Sequence, residues 1–259
     1  MSIKISKQIK VKHFLECNIE KFSSKFNFKT NLNYLKDLEE DSKFLNKINE
    51  KIRSNMFFNK REFNSIYDFS VYRNFLYLII RYIKPKKVVE TGVLHGLTTA
   101  WILKALEDNK MGKLISIDLK RSDWPKYFKN KKMGPGYQFD MDFPEEEDAG
   151  WIVPDYLKNK WKLNYGPSSM YIKKIKNIDL FIHDSDHSYK NVKFEVETVL
   201  KNNKSSFVVI DNCNWNSYIF KLISQLNSNY YKQKLIYSFI DDVDDNLKSL
   251  ESAVVFKKI

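Results

Sequence analysis

Lys87-Val88-Val89-Glu90-Thr91-Gly92-Val93-Leu94-His95-Gly96-Leu97-Thr98-Thr99 reads as a buried strand, a glycine turn and a helix start in immediate succession. Gly92 and Gly96 lack Cβ atoms, so the chain can turn sharply after the strand. Backbone N–H groups can then approach a ligand at the N-terminus of the helix from Ala100 to Leu106. The next strand, Leu114-Ile115-Ser116-Ile117-Asp118, ends in a carboxylate 28 residues after Glu90. A doubly wound α/β fold places the acidic residue that holds a nucleotide ribose about there. The arrangement points to a bound adenosyl cofactor, with Glu90, Gly92, Gly96, Thr98 and Asp118 as its candidate contacts.

The spacing Glu-x-Gly-x-x-x-Gly, from Glu90 to Gly96, differs from the Gly-x-Gly-x-x-Gly of NAD proteins. It resembles motif I of class I S-adenosylmethionine (SAM) methyltransferases, and the resemblance implies SAM as cofactor. Downstream, strands and helices alternate, the pattern of a parallel sheet covered on both faces. Strands are expected at Trp161–Tyr165, Asp179–His183 and Phe207–Ile210, with helices at Asn191–Leu200 and Tyr218–Leu226. A final pair, Lys234–Ile240 and Ala253–Lys257, reads as a hairpin flanking the polar segment Asp241–Ser252. Class I methyltransferases end their sheet in such a hairpin. The expected fold is therefore a doubly wound, mostly parallel seven-stranded sheet with a C-terminal antiparallel hairpin, the resemblance covering about residues 63–259.

Residues 1–62 contain neither Gly nor Pro and carry helical apolar spacing at Leu32, Leu35 and Leu38 and at Phe44, Leu45, Ile48 and Ile52. They are read as an N-terminal helical extension. Ser65–Ile83 is expected to be one helix, ended by Pro85. The segment 120–160 is a long insertion after the ribose-side Asp and is read as a substrate-side cap, with Tyr137 and Trp151 able to stack on a ring. Trp215 and Asn216 are placed to line the acceptor pocket.

Two further stretches carry chemistry. Asp179-Leu180-Phe181-Ile182-His183-Asp184-Ser185-Asp186-His187-Ser188-Tyr189 is an apolar strand ending in a dense polar turn, and Phe207-Val208-Val209-Ile210-Asp211-Asn212 is another ending in acid and amide. In a parallel sheet Asp184 and the Asp211-Asn212 pair fall on one carboxyl edge, the edge of the glycine turn. Asp184, Asp211 and Asn212 then offer a hard oxygen site suited to Mg²⁺, and Asp184 also borders the cofactor. The pattern resembles metal-dependent O-methyltransferases of the catechol type, and its wording is closer to the bacterial group of macrocin-type sugar O-methyltransferases and cephalosporin-hydroxylase-like proteins. There an "IDGDHSY"-like turn is paired with an acidic turn. His187 is the first candidate for the base that accepts the acceptor's proton, because an unperturbed imidazole titrates near pH 6.5, and Asp186 is the second. His183, on the opposite strand face from Asp184, is read as a packed structural histidine. In related sequences the turn after the third strand reads Gly-Asp-Ser and helps define the adenine pocket. Here it is Gly166-Pro167-Ser168-Ser169, which makes Ser168 the candidate to take over that contact.

The expected function is SAM-dependent methyl transfer to a hydroxyl of a small molecule or sugar with divalent-metal assistance. The alternatives are a nucleic-acid methyltransferase and a non-catalytic SAM- or partner-binding module. A net charge of +12 invites the nucleic-acid reading, but lysines are spread through every segment and no Asn-Pro-Pro-Tyr-type motif occurs. Cys17 and Cys213 lie far apart, as in a reduced, cytoplasmic protein. The longest apolar run, Phe75–Ile80, is six residues, too short for a membrane span. The sequence leaves open whether the chain forms a homo-oligomer.

Overall fold

The computed structural model describes residues 2–53, 63–69, 71–128, 143–144, 147–203, 206–213, 222, 225, 231–244 and 247–258. Five strands run parallel: β1 (Lys87–Thr91), β2 (Lys113–Asp118), β3 (Trp161–Tyr165), β4 (Leu180–His183) and β5 (Phe207–Asp211). They are followed by an antiparallel hairpin, β6 (Tyr231–Asp244) and β7 (Leu247–Lys258). The order across the sheet is β3-β2-β1-β4-β5-β7-β6. The direction of winding reverses between β1 and β4, and in open α/β sheets that switch point is where ligands bind.

Strand alternation divides the interior into two cores. Val88, Leu114, Ile182, Val209 and Val255 face one, while Val89, Ile117, Phe181, Val208, Ile210 and Val254 face the other. Each set is separated from its neighbour by one residue along a strand, the two-residue period of a pleated chain. Because both faces are covered, the strands are continuous apolar runs rather than alternating ones.

The first core is covered by α4 (Val71–Ile83) and α5 (Leu97–Asp108) and by three N-terminal helices, α1 (Ser2–Phe26), α2 (Asn33–Glu39) and α3 (Ser42–Arg53). Phe22 stands edge-on to Phe75, and Phe44 edge-on to Trp101, which is fully buried. Charged ties reinforce this contact. Lys104 on α5 meets Asp41, just ahead of α3, at 2.8 Å, and Arg81 on α4 meets Asp37 on α2 at 3.0 Å. The second core is covered by α8 (Tyr189–Asn202) and the short α7 (Ser168–Tyr171), with Ile172 packing beside Val192 and Val196. A further short helix, α6 (Trp124–Phe128), follows a 3-10 turn after β2.

Two elements differ from expectation. The helix expected over Ser65–Ile83 is split, because Ser65 and Asp68 close a capping box around a 3-10 turn and Phe69 is extended before α4 begins. The hairpin is longer than expected, since pairing continues through most of Asp241–Ser252, from Asp241 opposite Ser249 to Asp244 opposite Leu247. The helix expected over Tyr218–Leu226 lies largely outside the described residues. Among the described residues, no helix is long and apolar enough to cross a membrane.

Candidate active site

The glycine turn sits where β1, β2 and β4 end. Gly92 has φ 84° and Gly96 φ 91°, values at which a side chain is strained. A Cβ on Gly92 would collide with the Asp184 carbonyl, and one on Gly96 would lie 2.7 Å from the Gly150 Cα. The two glycines thus let the turn close against β4 on one side and the insertion on the other.

Asp118 organises this turn. Its Oδ2 accepts the N–H groups of Val93 and Leu94, each at 2.8 Å, and its Oδ1 accepts that of Leu119 at 2.6 Å. Burial pushes its pKa up against these N–H donors, and Asp148 adds to the rise. Glu90 lies deeper. It is fully buried, and its carboxylate accepts hydroxyl hydrogen bonds from Thr99 (2.9 Å) and Ser116 (2.6 Å). Burial, with Asp184 and Asp118 nearby, pushes its pKa up to about 8. The structure thus places Glu90 beneath the turn as an anchor for α5 and β2. Thr98 lies in the first turn of α5 and is buried.

The β4 end carries the second group. His183 is fully buried and its Nδ1 lies 2.7 Å from Glu195 Oε2, consistent with the packed role read from the sequence. Glu195, on α8, also accepts Thr91 Oγ1 at 2.7 Å, Ser185 Oγ at 3.2 Å and Asn191 Nδ2 at 3.2 Å. Burial drives the Glu195 pKa upward, but His183 and the hydrogen bonds from His183, Ser168 and Thr91 outweigh it and the net shift is down. Ser168 stands at the start of α7. Sequence reasoning missed Glu195. The available signal was an acid on the same helical face as Val192, Val196 and Val199.

Asp184 follows β4, its N–H donating to the Thr91 carbonyl at 2.9 Å. Asp186 accepts the Ser188 N–H at 3.0 Å, which shapes the turn into α8. The His187 ring stands edge-on to His183 with centroids 5.2 Å apart. Burial and the neighbouring His183 push the His187 pKa down to about 3, so the imidazole is neutral across the physiological range. At the β5 end, Asp211 Oδ1 accepts the Asn212 N–H at 2.7 Å and Oδ2 faces Asn212 Nδ2 at 3.4 Å. Asn212 takes the left-handed conformation, φ 49°. Asp184, Asp211 and Asn212 therefore share the carboxyl edge, on adjacent strands. Among the described residues, however, no three His, Cys, Asp or Glu side chains gather to hold a metal ion. Asp211 accepts its own neighbour's N–H, and Asp184, Asp211 and Asn212 are the oxygen donors that would hold a divalent cation at this edge.

The insertion is built into the wall of the site. Gly150 N–H donates to the Leu94 carbonyl at 2.7 Å, Ile152 N–H to the His95 carbonyl at 3.0 Å, and Trp151 Nε1 to His95 Nδ1 at 2.8 Å. Trp151 is buried in the first core, so its indole serves packing rather than stacking on an open ring. Tyr137, Trp215 and Asn216 lie outside the described residues.

A parallel sheet wound to both sides of β1, closed by an antiparallel hairpin and carrying a glycine turn and an acidic β2 end, is the class I methyltransferase fold. Residues 89–213 match the family model described as "Methyltransferase domain". Among solved structures of this fold, it is similar to the O-methyltransferase TomG of Streptomyces achromogenes, involved in tomaymycin synthesis and solved in complex with SAM. The identity is 14%, over 86% of this chain and 92% of that one, with a TM-score of 0.55. It is also similar to the O-methyltransferase from Bacillus cereus solved in complex with SAH, at 12% identity over 87% of this chain and 100% of that one, TM-score 0.55. A search of curated protein sequences finds no match.

Proposed function

We propose that this chain transfers a methyl group from SAM to a hydroxyl of a small molecule or sugar. The observation that carries this reading is Asp118, fixed against the glycine turn at the carboxyl edge of β2, beside the β1/β4 switch point. A carboxylate offers about four lone-pair positions. Three N–H groups lie on Asp118 within 2.8 Å, which leaves it able to accept a ribose hydroxyl. The start of α5 adds the partial positive charge of a helix N-terminus at the same place. This donor and acceptor set fits an adenosyl nucleoside. The O-methyltransferases of the same fold are in keeping with a hydroxyl acceptor.

When bound, SAM supplies a sulfonium methyl that leaves with its sulfur keeping the electron pair. The chain's part is to hold the nucleoside at Gly92–Gly96, Thr98 and Asp118 and the acceptor over the Asp184–His187 turn, so that positioning supplies most of the rate. The acceptor's proton goes to a residue of that turn. Asp186 takes precedence over His187, because an imidazole held at a pKa of about 3 is a weak proton acceptor at pH 7.

Calorimetric titration of SAM and SAH tests the cofactor, with Asp118→Ala as the variant expected to lose binding. An acceptor screen against small phenols and sugars with labelled SAM tests the chemistry. Turnover that survives EDTA fits this mechanism. Loss with EDTA and restoration by Mg²⁺ would return Asp184, Asp211 and Asn212 to the role of ligands.

A further inference from the structure

Asp148 lies in the insertion, and backbone hydrogen bonds hold its surroundings against the β2 end and the cofactor turn. Its Oδ1 accepts the N–H of Arg121, three residues beyond Asp118, at 3.2 Å and the N–H of Ala149 at 2.9 Å. Two residues on, Gly150 N–H donates to the Leu94 carbonyl, and Leu94 N–H is one of the donors on Asp118. Asp148 is thus bracketed from both sides of the β2 end. Burial is the largest cause raising the pKa of Asp118 and of Tyr165, which pairs with Asp118 across β2 and β3, and Asp148 adds to both rises.

Hydrogen-bond capacity gives this placement a purpose. Three N–H donors already occupy Asp118, which leaves about one acceptor position for a ribose that presents two vicinal hydroxyls. A second acceptor is needed within reach. Both backbone donors on Asp148 fall on Oδ1, and among the described residues no hydrogen bond falls on its Oδ2. Asp148 is half-buried and held by backbone rather than by a mobile cation.

We propose that Asp148 is a second cofactor-binding carboxylate, sharing the ribose diol of SAM with Asp118. The inference rests on the SAM reading above. It makes the insertion part of the nucleoside site and not only a cover for the acceptor.

The test is calorimetric binding of SAH and of its 2′-deoxy and 3′-deoxy counterparts to wild type, Asp148→Asn and Asp148→Ala, with thermal melts as a check on folding. Asp148→Asn keeps an oxygen for the Arg121 and Ala149 N–H groups, so it preserves the turn. Hydrogen bonds to charged groups lead us to expect SAH binding weakened about tenfold or more in both variants. One deoxy counterpart, the one lacking the hydroxyl that Asp148 receives, should bind wild type and variant alike. Folded variants that bind SAH as tightly as wild type, or lose affinity equally for all three nucleosides, would overturn the assignment while leaving the SAM reading intact. Failure of wild type to bind SAM or SAH would overturn both.

Discussion

His183 and Glu195 form a fully buried pair, Nδ1 to Oε2 at 2.7 Å, that joins the end of β4 to α8 beneath the candidate site. Because the same carboxylate also holds Thr91 on β1 and Ser185 and Asn191 at the following turn, one side chain fixes the relative height of two strand ends. Removing it leaves several buried donors without an acceptor. Glu195→Ala is expected to cost about 3–5 kcal/mol, with Glu195→Gln costing less because the amide keeps one acceptor oxygen. Urea unfolding of the two variants checks the order, and equal losses would assign the effect to volume rather than to hydrogen bonding.

Glu90 makes stability fall as pH rises from about 4.5 to 8. Its folded pKa of about 8 lies above the ordinary 4.5, so the fold favours the protonated acid. Its contribution is fully present below about pH 4.5 and is lost as pH rises through 8. Glu90→Gln, which imitates the neutral acid, is expected to flatten this fall, amounting to several kcal/mol at most. Melting temperatures between pH 5 and 9 decide it, and an unchanged slope in the variant would place the titration elsewhere.

His187 acts in the opposite sense. Its folded pKa of about 3 lies below the ordinary 6.5, so stability is present above pH 6.5 and is lost as pH falls toward 3. His187→Gln should therefore hold its melting temperature better than wild type between pH 6 and 4. The same depression predicts that the rate of methyl transfer shows no inflection near pH 6.5 assignable to this imidazole. An inflection there that disappears in His187→Gln would restore it as the base.

Gly92→Ala combines backbone strain with collision against the Asp184 carbonyl. A loss of roughly 2 kcal/mol or more is expected, together with loss of SAM binding. Gly112→Ala supplies a control far from the site, since Gly112 is also left-handed and its Cβ would meet the Pro85 carbonyl. It should destabilise the chain and leave cofactor affinity unchanged. Equal effects of both variants on affinity would count against a specific role for the glycine turn.

Lys104 is buried between Asp41 and Asp108. Lys104→Met should lower stability by about 1–3 kcal/mol, since two acids lose their partner, and should speed proteolysis near the start of α3. Unchanged cleavage would mean that apolar contacts such as Phe44 on Trp101 hold these helices unaided.

The parallel strands were legible because they are short β-rich runs closed by Gly or Asp. The stretch Trp161–Tyr165 is a strand as read, and Leu114–Asp118 gains only Lys113. The break before α4 was not legible, because the Ser65–Asp68 capping box competes locally with an apolar periodicity that continues through it. At the site, Asp118, Asp184 and Asp211 were found as strand-end carboxylates. Glu195 and Asp148 were not, since each acts on partners distant in sequence and neither ends a strand. Trp151 misled for a related reason. Aromatics in insertions read as exposed, yet this one is sealed by a hydrogen bond to His95, 56 positions earlier.

The place of β7 sets an order of assembly. This strand follows all the others along the chain, yet it lies inside the sheet, between β5 and β6. Until residues 247–258 emerge during synthesis, β5 presents an open edge and β6 has no neighbour to pair with. An unpaired edge is a template for the wrong chain. A chain cut short before Leu247 would therefore keep β5 as an open edge and leave the sheet unsealed.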